Sequence, residues 1–255
     1  MNTLVIILGI VLVFFVYLLF KYLTNTASTL NSAADFTKAI PAITGDALPA
    51  PTNLSYAHGV WLYVQNWDPT VQKTIFYRPN NIKLYLDPQS PTLYCDVTLD
   101  DDTAKTVMVT NSFPLQKWVY IIISVDNQFL DCYLDGKLVI SQQVMKTKTE
   151  NNRNIVIAPK QPVDATASPL YLGNSGNPIG GTFTSGTPGA SVGSGWSANA
   201  LIFTRWTTPV DPQTAWDWYM KGNGRSKFNS LFGSYGVNYS VLKDNIVVIN
   251  NQPLF

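Results

Sequence analysis

The sequence predicts an all-β protein, an antiparallel β-sandwich of jelly-roll type, with one transmembrane helix ahead of it and one short helix near its C-terminal end. Three observations lead to that class. Short β-branched and aromatic runs recur between residues 53 and 222, separated by Gly, Pro, Asn and Asp clusters. Charged residues make up only 13% of the 255-residue chain, about half of ordinary usage. One stretch, Trp118–Leu138, carries two strands and two turns in succession. In order, residues 1–23 are expected as the membrane helix, 24–52 as a polar Pro-containing stalk, 53–222 as the sandwich, and 223–255 as an extension with a β-hairpin.

Trp118–Val125 is apolar almost throughout, as a strand covered on both faces must be. Asp126-Asn127-Gln128 then reads as a turn. Phe129–Leu134 alternates, with Leu130, Cys132 and Leu134 on one face and Asp131 and Tyr133 on the other. Asp135-Gly136 is a strong signal for a type I′ turn, which needs two residues at positive φ. Lys137–Ile140 returns as the third strand of an antiparallel meander.

The run Leu4–Leu23 is apolar apart from Lys21. About 20 such residues at 1.5 Å each would cross ~30 Å of hydrocarbon. No Lys or Arg precedes the run, and it is longer than the core of a cleaved signal peptide. Leu4, Ile7, Val11, Phe14, Tyr17 and Phe20 are the expected anchor, with the lipid bilayer as partner. Lys21, read as positive-inside, places the following domain on the cytosolic side. The stalk carries Pro41, Pro49 and Pro51, with a short helix expected around Ala33–Ala39.

Strands are expected at Gly59–Val64, Thr74–Arg78, Ile82–Leu86, Leu93–Leu99, Thr106–Thr110, Ile155–Ala158, Leu170–Gly173 and Ala200–Arg205. Gly173–Gly195 is rich in Gly, Ser, Thr and Pro and reads as a long surface loop. Asp211–Gly222 is the one marked helix outside the membrane run. Asp211 is the N-cap, Pro212 the first helical residue and Gly222 the residue past the end. Trp216 and Met220, one turn apart, are expected to dock it. Asn238–Leu242 and Ile246–Ile249 form the final hairpin.

A net charge of +1 gives no basic footprint, which excludes nucleic acid as a partner. Cys95 and Cys132 fall on the apolar parity of their strands and read as core thiols. Asn53 and Asn238 head glycosylation sequons, which matter only on a lumenal or extracellular domain. Glu150 is the only glutamate and His58 the only histidine. His58, beside Gly59 at a strand start, reads as a surface or turn residue. Trp61, Trp67, Tyr77 and Tyr133 are candidate ligand or interface aromatics, suited to sugar stacking or to a protein partner.

The series Trp118, alternating apolar residues, Asp126, and Cys132-Tyr133-Leu134-Asp135-Gly136 resembles the signature of laminin-G-like (concanavalin A-like) lectin/glucanase domains. Leu170–Gly173, Trp196–Phe203, Thr207–Asp211 and the helix with Trp216–Tyr219 follow in that family's order, so the resemblance covers 56–222. It implies a concanavalin A-like sandwich in which Trp118, Asp126, Tyr133, Asp135 and Gly136 mark the fold. Glucanases of the family use paired glutamates, and a lone Glu150 cannot supply the pair. The resemblance also implies a loop-rim Ca²⁺ site, for which Asp100, Asp102 and Asp126 are the weak candidates. No catalytic residue, cofactor or firm metal site is expected.

Amino-terminal anchor, sandwich and hairpin together also resemble membrane-associated minor capsid proteins of large icosahedral DNA viruses. That likeness implies a non-enzymatic structural or assembly protein. It would link a virion's internal membrane to the shell, with neighbouring capsid or membrane proteins as partners and the domain facing the capsid. The alternative is a lectin-like, carbohydrate-binding adhesion module at the cell surface, with glycans as partners.

Overall fold

The computed structural model describes residues 3–23, 26–151, 153–162, 168–174, 195–224, 238–243 and 246–253. The chain divides into two compact units, Met1–Met220 and Lys221–Phe255.

In the first unit two antiparallel sheets face each other. The six-stranded sheet has the order β1 (Ala27–Asp35), β13 (Ala198–Trp206), β2 (Tyr56–Val64), β7 (Trp118–Asp126), β8 (Phe129–Leu134) and β9 (Lys137–Gln143). The five-stranded sheet has the order β12 (Tyr171–Leu172), β3 (Lys73–Arg78), β4 (Ile82–Leu86), β5 (Leu93–Thr98) and β6 (Ala104–Thr110). A separate hairpin, β10 (Lys146–Glu150) with β11 (Arg153–Ile157), stands beside them. The expected Gly173–Gly195 loop lies mostly outside the described residues.

Alternation along the strands builds the core. Val60, Leu62 and Val64 of β2, Val119, Ile121 and Ile123 of β7, and Leu130 and Cys132 of β8 point into one apolar layer. There they meet Phe76, Leu84, Cys95 and Val107 of the other sheet. Both cysteines are buried free thiols on facing sheets, as strand parity predicts. The alternate residues of the six-stranded sheet, Ala57, Trp61, Tyr120, Ile122 and Tyr133, form a second buried layer on its outer face. β7 is thus covered on both sides, as its unbroken apolar run requires.

Helix α2 (Pro212–Lys221) covers that outer face. Asp211 caps it, accepting from Thr214 N and Thr214 Oγ1, both at 2.9 Å. Ala215, Trp218 and Tyr219 make the docked face. Trp216 and Met220, expected to do so, stand 40% and 50% exposed. The periodic spacing was right, but the stripe facing the sheet lies one residue to the side. Tyr219 stacks on Trp61 with ring centroids 5.6 Å apart.

The meander turns as expected: Asp135 and Gly136 have φ of +49° and +76°, the two positive values of a type I′ turn. The turn is also a packing point. A Cβ on Gly136 would lie 3.0 Å from both Trp216 and Tyr219 of α2.

Two further expectations change. Residues 27–35, assigned to the stalk with a helix near Ala33, form β1, paired with β13 through a register shift between Thr29 and Asn31. Small polar residues give no period-2 signal, and the pairing is imposed by β13. Helix α1 (Thr3–Leu23) contains the expected anchor residues Leu4, Ile7, Val11, Phe14, Tyr17 and Phe20. Among the described residues, however, no helix is long and apolar enough to cross a membrane. The single-pass placement, in a virion membrane or at a cell surface, does not stand.

The second unit contains the expected hairpin, β14 (Asn238–Lys243) antiparallel to β15 (Ile246–Pro253).

Candidate functional site

A cleft of about 330 Å3 opens where the loop after β2 meets the segment leading into β13. Thr37, Asn66, Trp67, Asp68, Val71, Lys73, Gly195, Trp196 and Ser197 line it. Each wall has a local cause. Gly195 lies so close to β1's exit that a Cβ there would sit 2.6 Å from the Phe36 carbonyl oxygen. Trp196 is buried and its Nε1–H donates to Thr74 O at 2.9 Å, which fixes the floor. Trp196 also packs on Phe36 with centroids 5.4 Å apart.

The opposite rim is pinned by Lys73. Its ammonium donates to the carbonyls of Val71 and Pro88, each at 2.9 Å, and to that of Asp68. It also sits 4.2 Å from the ring centroid of Trp67, a cation–π contact that holds the half-buried indole in place. Burial lowers the Lys73 pKa, and Asp68 and Asp87 oppose that shift. Asp68 Oδ1 accepts from Thr70 N and Thr70 Oγ1 at 2.8 and 2.6 Å, which keeps its carboxyl below the usual value. The cleft therefore offers the half-buried Trp67 indole above the buried Trp196, one side-chain amide, one ionised carboxylate, the Lys73 ammonium and the hydroxyls of Thr37 and Ser197. That set suits a polyhydroxylated ligand with an apolar face.

The other expected aromatics lie elsewhere. Trp61 is buried between Tyr120 and Tyr219, and Tyr133 donates from its hydroxyl to Val210 O at 3.0 Å. Both hold α2 and its leading loop to the sheet. Tyr77 is 2% exposed and stacks on Tyr171. Only Trp67 borders the cleft.

The fold-marking residues each tie down a different part of the six-stranded sheet. Asp135 Oδ1 accepts from Tyr120 N at 2.9 Å, and Asp135 N donates to Tyr120 O at 2.8 Å. Asp126 Oδ1 accepts from Ser55 Oγ at 2.9 Å. Trp118, half-buried, packs on Tyr63. At the acidic turn, Asp101 and Asp102 pair with Lys146 and Lys160. The structure does not bring Asp100, Asp102 and Asp126 together. Among the described residues no group of three or more His, Cys, Asp or Glu could hold a metal ion.

Sequence reading missed two polar clusters. On the five-stranded sheet Lys83 pairs in register with Asp96, and Tyr85 Oη donates to Asp96 Oδ1 at 3.4 Å. Burial raises the Asp96 carboxyl and lowers the Lys83 ammonium. The second cluster is inside the sandwich. His58, expected at the surface, is fully buried on the inward parity of β2, stacked on Phe203 at 5.5 Å. Its neighbour Arg205 faces inward because β13 is bulged. The register slips between Leu201 and Thr204, and Ile202 takes φ +51°, rare for a β-branched residue. Before the bulge the even residues Ala198 and Ala200 point in; after it, Phe203 and Arg205 do. A one-residue insertion reverses parity, and no residue type in the sequence announces it.

A family model described as the concanavalin A-like lectin/glucanases superfamily matches residues 41–168, half of the chain. No curated protein matches it. Similar solved structures include the binding domain of botulinum neurotoxin serotype D, 10% identical with a TM-score of 0.44, over 68% of this chain and 37% of that one. Domain 4 of a GH43 extracellular arabinanase from Geobacillus stearothermophilus, in complex with arabinotriose, is 14% identical with a TM-score of 0.40, over 64% of this chain and 66% of that one. The chain thus spans under two-fifths of the toxin domain's length. At these scores the likenesses say nothing about what this chain binds.

Proposed function

The chain belongs to the concanavalin A-like lectin/glucanase superfamily, and from that premise we propose that it is a carbohydrate-binding module that recognises a neutral glycan in the Trp67 cleft. The observation that carries the proposal is the cleft's lining: a half-buried indole fixed by Lys73, flanked by Asn66, Asp68, Thr37 and Ser197. A sugar ring would lay its C–H face on the indole and bond its hydroxyls to the amide, carboxylate and hydroxyl groups. Asp68, held ionised by Thr70, is offset by the Lys73 ammonium, so the lining carries no net charge to recruit an acidic sugar.

Binding rather than hydrolysis fits the same lining. Two-carboxyl glycoside hydrolysis needs a pair at ~5 to 9.5 Å, and Asp68 is the single carboxylate among the lining residues. The virion-assembly reading drew on a membrane anchor, and no observation in the first unit favours it over glycan recognition.

The test is a glycan array probed with the purified chain, followed by calorimetry on its best ligand. Neutral oligosaccharides are expected to bind, and an added sialic acid to bring no gain in affinity. Binding confined to acidic glycans, or none to any glycan, would overturn the proposal.

A further inference from the structure

His58 and Arg205 lie against each other in the interior, between the two sheets and beneath the loop that carries Pro49, Ala50 and Pro51. Arg205 Nη1 is 2.9 Å from His58 Nε2. Arginine has donors only, so Nε2 must be the acceptor and the imidazole must be neutral, with its proton on Nδ1. That Nδ1 is buried with no hydrogen-bond partner among the described residues. Arg205 also donates to the loop, from Nε to Pro49 O at 2.9 Å and from Nη2 to Ala50 O at 3.0 Å.

The groups facing the imidazole come from three strands. Tyr56 of β2 packs on its edge at 5.5 Å, Phe76 of β3 lies at 5.2 Å, and Phe203 of β13 stacks on it. The charged groups are Arg205 of β13 and Arg78 of β3, whose Nη1 reaches Pro51 O at 2.6 Å. Tyr56 lies under the Arg205 guanidinium at 4.8 Å, and burial raises its phenol to about 12, so it stays neutral. Among the described residues no carboxylate pairs with Arg205.

We infer that His58 is an acid-sensitive catch: protonating it puts a cation against Arg205, breaks their hydrogen bond, and releases the 48–53 loop from the end of the sandwich. The imidazole cannot accept from Arg205 once Nε2 carries a proton, and among the described residues no carboxylate is paired with Arg205 to offset a second positive charge beside it. Burial, Arg205 and Arg78 all hold the His58 pKa well below its usual value. The unfolded chain therefore takes up the proton first. Stability is full above the unfolded value of ~6.5 and is lost as pH falls below it toward the folded value. No other histidine exists to confuse the window. The inference is independent of any ligand in the Trp67 cleft.

The test is the melting temperature of the full chain between pH 7.5 and 5.0, beside the His58→Gln variant, whose amide oxygen can still accept from Arg205. The wild type is expected to lose about 3–5 °C per pH unit below 6.5, and the variant to stay flat. Hydrogen exchange, corrected for pH, should show Leu48 and Asn53 opening on acidification in the wild type only; Asn53 N donates to Ala50 O within the loop and Leu48 N to Gly45 O just before it. Should the variant not fold, the proton NMR shift of the single imidazole decides. No titration down to pH 5 in the native chain upholds the catch. A midpoint near 6.5, or equal acid loss in both proteins, overturns it.

Discussion

Lys73 and Arg205 are both buried cations that hold a loop by its backbone carbonyls, and they differ in what surrounds them. Lys73 grips Asp68, Val71 and Pro88 at the mouth of the cleft, with Asp68 and Asp87 close enough to favour its charge. Arg205 grips Pro49 and Ala50 at the other loop, with burial pushing it down to about 10 and a neutral histidine as its third acceptor. A carboxylate-buffered cage tolerates a change of pH. A cage completed by an imidazole does not. On the proposals above, the same device serves a binding rim in one place and a proton-sensitive fastening in the other.

Removing each cation is the strongest way to separate them. Arg205→Met leaves two carbonyls and His58 Nε2 without a donor, and should cost about 3–5 kcal/mol in urea unfolding. A cost below ~1 kcal/mol would show that Arg205 does not hold the loop. Lys73→Met should cost less, about 2–3 kcal/mol, because that rim is nearer water. It should also weaken glycan binding while leaving the wild-type acid profile between pH 7.5 and 5.0 intact. If Lys73→Met flattened that profile, the two cages would not be independent.

Smaller effects should arise outside both cages. Gly136→Ala puts a methyl at positive φ and 3.0 Å from Trp216 and Tyr219, for about 1–2 kcal/mol. Asp211→Ala removes the cap of α2 and should cost about 1 kcal/mol at neutral pH. Its carboxyl is held below the usual value by Thr214. The contribution is therefore present above the unfolded value of ~3.9 and fades as pH falls through the lower folded one. Thermal melts of both variants at pH 7 and pH 3 check these, and neither should alter glycan affinity.

Much of this was legible in the residues. β4 and β8 fall where alternation and turns place them, and the Asp135-Gly136 turn has the φ values its residue types demand. Trp67 read as one candidate aromatic among Trp61, Tyr77 and Tyr133, and only tertiary structure shows that Trp67 borders the cleft while α2 covers Trp61 and Tyr133. β1 was unreadable because Ala, Ser, Thr and Asn carry no alternation. The His58–Arg205 contact was unreadable because it depends on the bulge at Ile202, which flips the parity of everything after it. Neighbouring side chains such as Asn66, Trp67 and Asp68 can be read from one loop; a contact made by a change of register cannot.

The central claim is that the Trp67 cleft binds glycan. It is tested most directly by calorimetric titration of the best neutral oligosaccharide against wild type and Trp67→Ala. The account predicts that the variant keeps its fold and loses about tenfold or more in affinity, roughly 1.4 kcal/mol. Unchanged affinity in a folded Trp67→Ala protein would contradict it.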